Sequence, residues 1–509
     1  MKKKQLWLAT ILGAQLAFTS PAADTNDTNR DADLAALKQQ LLELSQKVQA
    51  LESQRAADLQ AAAAAAQTQN QDLDQKVRIL ARERELDQEA AAAAAKSAPR
   101  LQVGPGGFIA SSADSNFVFS LKGVLQVDSR TFFNDSVNKN ANDGIILRRA
   151  RPIFQGTLYR DFDFKFTPDF APSSGPTIFD AYGNYRYAPW AQLRSGKFKT
   201  PEGLEQLQED VNISFNERSL ASDLVPNRDV GLQLWGDIKG GLLSYAAGIF
   251  NGVGDEQNSS NAAFENEVEF AGRLFTQPFK SSDLTALQGL GFGVAGTSQN
   301  GTSNTKDLPT TTGGTLPGYT TDGQQQFFAY NPAIGTVVAS REHWRLSPQG
   351  YYYYGPLSLL GEYAISDQGV RNTTTGAQAY LQNTAWEVSG GWVLTGENAS
   401  FGGVTPLHPF DPHNGQWGAF QVVARYAELN IDNAAFPVFA NPAYSASTAQ
   451  AWSTGLNWYL NKNIRLNASF SHTTFTGGGA STGSGATTSP GVVTRQPENV
   501  FFTRVQLAF

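Results

Sequence analysis

Two hydrophobic periods divide this chain. Leu34, Leu37, Leu41, Leu44, Val48 and Leu51 recur in alternating steps of three and four. That spacing fills positions a and d of a heptad and predicts one continuous apolar seam along a helix. Lys47 then falls at g and Glu52 at the next e, a pair able to bridge parallel helices. A second helical stretch around Leu73, Val77 and Leu80 follows an alanine run at Ala61–Ala66. No Gly or Pro occurs between Asp24 and Ser97, which suits long helices.

From about Leu101 to Phe509 the period falls to two. Phe162, Phe164, Phe166, Pro168 and Phe170 alternate with Asp163, Lys165, Thr167 and Asp169. Phe117, Phe119, Leu121, Leu125 and Val127 alternate with Ser120, Lys122, Gln126 and Asp128. Each such strand has one apolar and one polar face. Strands of about ten residues with this alternation and many aromatics predict an all-β transmembrane barrel, apolar outward and polar inward. Short connections at Leu460–Asn463, Asp237–Gly241 and Ala188–Trp190 contrast with long loops near Thr297–Gln326, Phe401–Gln416 and Gly477–Gln496. The reading places the short turns at one end of the barrel and the long loops at the other. The chain supplies about 16 antiparallel strands, enough to enclose an aqueous channel.

The first residues read as an export signal. Lys2, Lys3 and Lys4 precede an apolar stretch from Leu6 to Phe18, and Ser20–Ala23 supplies small residues for cleavage. The expected organisation is a signal peptide over 1–23, a periplasmic coiled-coil region over 24–100 and an outer-membrane barrel over 101–509.

Composition agrees. Charged residues make up 17% and aromatics 11% of 509 residues, with 48 Gly and 32 Phe. This aromatic content is too rich for a disordered chain. Zero Cys excludes disulfides, iron–sulfur clusters and a thiolate zinc site. The net charge of −7 gives no support to nucleic-acid binding. No metalloprotease, Walker or nucleophile-elbow motif appears, so no catalytic residue, metal or cofactor is expected. The pair His408 and His413 reads as part of a structured external loop, and Tyr351–Tyr354 as a rim girdle.

Charge on strands should face the lumen, because an arginine at the lipid midplane costs about 2–4 kcal/mol. Arg149 and Arg151 share one strand face, whereas Arg148 falls on the other, toward a rim. Lys122, Lys165, Arg186, Arg273 and Arg504 point inward by the same alternation, and Lys197 and Lys199 share a face. Clustered guanidinium groups bind phosphate-like anions through paired, directed hydrogen bonds. The competing reading pairs these cations with luminal Asp128, Asp163, Asp180 and Glu269. Overall charge does not decide, since residues 100–509 hold 27 basic and 33 acidic side chains. Anion preference requires local segregation of charge.

Several motifs resemble the phosphate-selective porin O/P family. They are Leu147–Arg151, Gly156–Phe162, Gly196–Pro201 with Gly203-Leu204-Glu205, Glu217-Arg218, Leu394–Glu397, Gly455–Tyr459 and Arg504. Their shared order covers about Asn116–Phe509. The resemblance implies a homotrimer of 16-stranded porins in outer-membrane lipid, with the third external loop, about Thr200–Asp229, folded inward. It matches the family's arginine pair to Arg148 and Arg149 and its strand lysine to Lys165. The candidate pore-lining, anion-binding residues are thus Arg149, Arg151, Lys165, Lys197, Lys199, Arg148, Lys122 and Arg218. The family's central lysine cluster has no match: Gln206–Asn216 has no Lys or Arg, and Lys306 is the only basic residue of Thr297–Gln326. The reading is therefore a passive channel for small hydrophilic solutes, with anions such as phosphate preferred. A sugar-selective or non-specific porin is one alternative. A structural tether, its coiled coil held by the cell wall or a periplasmic partner, is the other.

Overall fold

A computed structural model describes residues 30–133, 142–259, 268–299, 316–479 and 494–509. The expected signal peptide, Lys306 and the middle parts of two long loops lie outside them.

The chain divides into two compact units, Met1–Lys96 and Ser97–Phe509. In the first, a single helix α1 (Arg30–Ser97) joins both predicted helical stretches. Leu37, Leu41, Leu44 and Leu51 of the seam are all exposed. Same-helix pairs Lys47–Glu43 (3.8 Å) and Lys76–Asp72 (2.8 Å) lie one turn apart.

In the second unit, a hairpin of β1 (Arg100–Gly104) and β2 (Gly107–Ser111) precedes the wall. The wall runs through β3 (Val118–Phe133), β4 (Gly144–Leu158), β5 (Phe162–Asp169), β6 (Thr177–Ala188), β7 (Ala191–Lys199), β8 (Arg228–Ile238), β9 (Leu243–Phe250), β10 (Glu269–Thr276) and β11 (Leu290–Gln299). A small hairpin follows, β12 (Tyr319–Thr320) with β13 (Gln326–Phe328). The wall resumes with β14 (Val337–Tyr354), β15 (Leu357–Asn372), β16 (Gln378–Val393), β17 (Ala419–Asn430), β18 (Ala446–Tyr459), β19 (Ile464–Gly477) and β20 (Glu498–Ala508). Each wall strand pairs antiparallel with its sequence neighbours, and β20 returns to pair with β3. Sixteen strands thus close a barrel, so the wall itself has no open edge. Across the closing seam Arg504 and Asp128 lie in register and form a two-point ion pair of 2.6 and 2.7 Å.

The period-two pattern decides which side chains face in. On β17, Gln421, Val423, Arg425, Ala427 and Leu429 are buried, while Val422 and Tyr426 between them are exposed on the outer face. Leu193, Leu232 and Leu234 are likewise exposed outward. Such a surface is stable only against lipid.

Because all pairings are antiparallel, connections alternate between the two ends. The short turns after β4, β6, β8, β14 and β18 share one end. The loops after β7, β9, β11, β17 and β19 share the other. One sequence expectation is corrected by this parity. The long connection 394–418, which carries Phe401–Gln416 with His408 and His413, follows β16 and so lies at the turn end. It is no external loop. Its length serves packing: Val393, Ala399, Val404 and Ala419 join Tyr459 in a buried cluster. The tyrosine run also splits: Tyr354 is exposed outside, whereas Tyr351 packs 5.0 Å from Phe275 and 5.5 Å from Phe401.

Candidate functional site

The connection 200–227 leaves β7 at the loop end and folds into the lumen. Its turn is set by Gly203, at φ +73°, where a Cβ would lie 2.7 Å from the Val225 side chain. The loop then forms α2 (Leu204–Leu207) and a 3-10 turn at Leu220–Leu224. Wall side chains reach in to satisfy its backbone. Glu362 on β15 accepts the amides of Leu204 and Glu205. Arg465 on β19 donates to the Ile213 carbonyl (2.8 Å), Asn457 on β18 to Ser214 (2.9 Å), and Gln506 on β20 to Val211 (3.1 Å). The loop is therefore pinned across the bore by hydrogen bonds, as buried backbone must be.

A second insertion was not legible beforehand. The β12–β13 hairpin carries Tyr319, Phe327 and Phe328, each about 1% exposed, into a dry cluster with Leu220, Leu224 and Val225 of the inward loop. The inward faces of β15 to β18 meet them with Ala364, Leu381, Ala385, Leu429 and Ala449, and Asn383 of β16 donates to the Tyr319 hydroxyl at 3.0 Å. Asp322 at the hairpin tip accepts from Arg425, Ser453 and Ser471 at 2.9 Å each. This part of the lumen is plugged.

The opposite part is lined by β3 to β8, and there the cations gather. Asp210 of the inward loop sits among Arg149 (3.2 Å), Arg218 (2.6 Å) and Arg151. Arg151 also binds Asp169 at 2.6 Å. Glu217 receives Arg148 through two hydrogen bonds, 2.6 and 2.8 Å, and Arg130 at 3.0 Å. Asp180 holds Lys165 (3.3 Å) and Arg228 (2.8 Å). Lys199 donates to the Gln208 carbonyl (2.8 Å), and Lys197 to that of Ser259 (2.6 Å). Lys122 lies half-buried on β3. Seven candidates thus meet a partner in this region, and Lys122 stays apart from them.

Arg148 corrects the strand reading. Between Gln126 and Val127 the ladder slips, so that Arg149 opposes Gln126 and Leu147 opposes Val127. Arg148 is the extra residue of a β-bulge. The bulge breaks the alternation and turns two consecutive arginines to the same side, where Arg148 grips Glu217 instead of pointing to the far face. A second slip, in β6 opposite Thr167 and Pro168, frees Phe179. The guanidinium carbons of Arg151 and Arg228 lie 3.4 and 3.3 Å from its ring centre.

Burial alone would raise the loop carboxyls, but the surrounding charges outweigh it. Arg149, Arg218 and Arg151 hold Asp210 well below the usual carboxylate range. Arg148, then Arg149 and Arg504, hold Glu217 low. Asp223 and Glu256 face the same cavity without such cover. Burial, with Glu217 nearby, pushes Glu256 up to about 7, and burial beside Glu256 raises Asp223.

These groups enclose a cavity of about 920 Å³ lined by Arg130, Arg148, Arg149, Arg151, Lys197 and Arg218, with Asp169, Asp210, Glu217, Asp223 and Glu256. Arg130, Arg228, Arg345 and Arg425 were missed by sequence reasoning, although alternation with outward apolar neighbours would have placed Arg345 and Arg425 inside. Among the described residues no group of three or more His, Cys, Asp or Glu is arranged to hold a metal ion.

The sequence matches the family described as phosphate-selective porin O and P over residues 119–494. No curated protein matches the chain. Solved structures similar in fold include the outer membrane protein OmpT of Vibrio cholerae, at 10% identity, 77% of this chain, 98% of that one and TM-score 0.46. An anion-selective porin from Comamonas acidovorans matches at 11% identity, 77% and 100% coverage and TM-score 0.46. The outer membrane channel DcaP of Acinetobacter baumannii matches at 11%, 79% and 100%, and TM-score 0.46.

Proposed function

This chain belongs to the phosphate-selective porin O and P family and is an outer-membrane channel, and from that premise we propose that it passes small hydrophilic solutes by passive diffusion, with anions preferred. The observation that carries this reading is an excess of cations over carboxylates in three ion-pair networks facing the β3–β8 wall, beside one balanced pair, Arg186 with Asp163. Asp169 and Asp210 face Arg149, Arg151 and Arg218. Asp128 and Glu217 face Arg130, Arg148 and Arg504. Asp180 faces Lys165 and Arg228. Each of these three networks keeps one uncompensated positive charge. On the plugged side the balance reverses: Arg345 meets Asp255 and Glu269, and Arg425 meets Glu205 and Asp322. These clusters support a local segregation of charge, the condition that overall composition left open. Selectivity follows from such charges in a confined passage.

The same pairing argues against tight phosphate specificity. A guanidinium already gripping a carboxylate offers fewer free donors to an incoming oxyanion. Inorganic phosphate and chloride are both expected to permeate, with Arg148, Arg149, Arg151, Lys165, Lys197, Lys199 and Arg218 acting as a field more than as individual ligands. The reversal potential across planar bilayers in a KCl gradient tests the reading: it should take the sign set by chloride, and a cation-selective value refutes it.

The exposed seam of α1 supports assembly into a homotrimer through a parallel coiled coil in the periplasm. A seam of six apolar residues left in water is stabilised by burial against copies of itself. Leu37→Ser with Leu44→Ser should lower the melting temperature of the oligomer while leaving single-channel conductance unchanged.

A further inference from the structure

We infer that Arg194 is a second anion station of the same passage, on the turn side of the inward loop, and this inference rests on the anion-channel reading above. Arg194 lies on β7 between Leu193 and Ser195, in register with Asn184 on β6 and Gln233 on β8. Leu193 is exposed on the outer face, and Asn184 and Gln233 are buried inside, so Arg194 points into the bore. It stands five residues before Lys199, where the inward loop begins. At about 3.3 Å per residue that is roughly 16 Å of strand toward the turn end.

Its surroundings differ from those of the cavity arginines. Arg148, Arg149, Arg151 and Arg218 each touch a carboxylate. Arg194 makes no ion pair among the described residues. Its guanidinium carbon lies 4.7 Å from the ring centre of Tyr182, 5.3 Å from Phe198 and 4.6 Å from Trp235. Its Nε–H is buried and has no hydrogen-bond partner. The Trp235 indole is itself fixed by donating to Asn184 at 2.9 Å, and Phe198 packs 5.5 Å from Phe250. The box is therefore built, not accidental.

The two modes of holding an arginine have different electrostatic consequences. A carboxylate cancels its charge. An aromatic ring attracts the cation through a quadrupole and leaves the net charge intact. The ring box fixes the flat guanidinium through its faces, which leaves N–H donors at its edge for a passing anion. The paired arginines at the inward loop set a diffuse field; Arg194 offers a whole unit charge to an anion that has cleared the loop. Two separated stations also suit conduction, because an anion must be drawn in without being trapped.

The test uses the full chain in planar bilayers with a KCl gradient. Arg194→Gln should lower the chloride-over-potassium permeability ratio about fivefold, the effect on both ions of one unit charge about 5 Å away in a water-like dielectric, screened in about 0.1 M salt. The chain has 0 Cys, so Arg194→Cys can be charged at will. A cationic thiosulfonate reagent should restore the ratio, and an anionic one should depress it below that of the unmodified variant. An anion-selective wild type whose ratio stays the same in Arg194→Gln, or ignores the sign of the reagent on Arg194→Cys, overturns this inference alone. A cation-selective wild type overturns the anion reading beneath it.

Discussion

Replacing Asp210 by Asn makes the sharpest test of the segregated-charge mechanism. Asp210 receives Arg149, Arg151 and Arg218, and asparagine keeps its shape but not its charge. That cluster would then hold three arginines against Asp169 alone, raising its excess from one positive charge to two. For an ion about 5 Å away in water, one unit charge is worth about 0.8 kcal/mol. Screening with a Debye length of about 10 Å in 0.1 M salt reduces this to about 0.5 kcal/mol. That is about 2.3-fold more anion and as much less cation, so the permeability ratio should rise about fivefold. The loop should stay in place, because neighbouring carbonyls keep their bonds from Arg465, Asn457 and Gln506. The assay is the bilayer reversal potential at 0.1 M mean salt, with unitary conductance as the control for an intact eyelet. An unchanged ratio at unchanged conductance, or a shift toward cations, would refute the claim that this network faces the conducting path.

Three further outcomes follow from the same geometry. Deleting Arg148 removes the bulge and leaves a regular β3–β4 ladder, so the variant should still give a heat-modifiable barrel on gels, but with Glu217 held less firmly and noisier open-channel current. Phe328→Ala opens the dry plug at a cost of about 3–5 kcal/mol; single-channel traces should gain larger-conductance substates, and their absence would mean that the hairpin does not limit flow. Burial raises Glu256 to about 7 and also raises Asp223, so the folded loops bind protons that the unfolded chain, with a Glu value near 4.5, would release. Their stabilisation is complete below about pH 4.5 and fades as pH rises toward and past 7. Hydrogen exchange over 220–224 should accelerate from pH 5 to pH 8 beyond the intrinsic rate, and Glu256→Gln should remove part of the excess, leaving that of Asp223.

The barrel was legible because its cause is local. Every second residue of β17 or β5 meets lipid, and that requirement is written into adjacent positions. The inward loop could be bounded because β7 and β8 flank it with clear alternation. What escaped was decided by distant partners or by a shift in register. Arg148 looks misplaced until one residue of slip against Gln126 and Val127 is known. The plug escaped because Phe327 and Phe328 sit in a loop, and their burial depends on alanines of β15 to β18, more than thirty residues away in sequence. Those alanines also break the rule that luminal faces are polar, a rule that holds only where the lumen is wet. The end to which 394–418 belongs needed a complete strand count, which alternation alone gives only approximately. The pairing of Arg149 and Arg151 with Asp210 was visible only as one of two readings; in the structure these arginines and Arg218 meet Asp169 and Asp210, three cations against two carboxylates.

The dry hairpin core has one more consequence. Strand number ordinarily fixes the bore of such a cylinder, yet here part of the cross-section is filled by residues that belong to no strand. The sieving limit is therefore carried by segments outside the wall. Substitutions in the hairpin can retune which molecules fit without disturbing closure or lipid contact, so size exclusion and insertion into the bilayer are free to change separately.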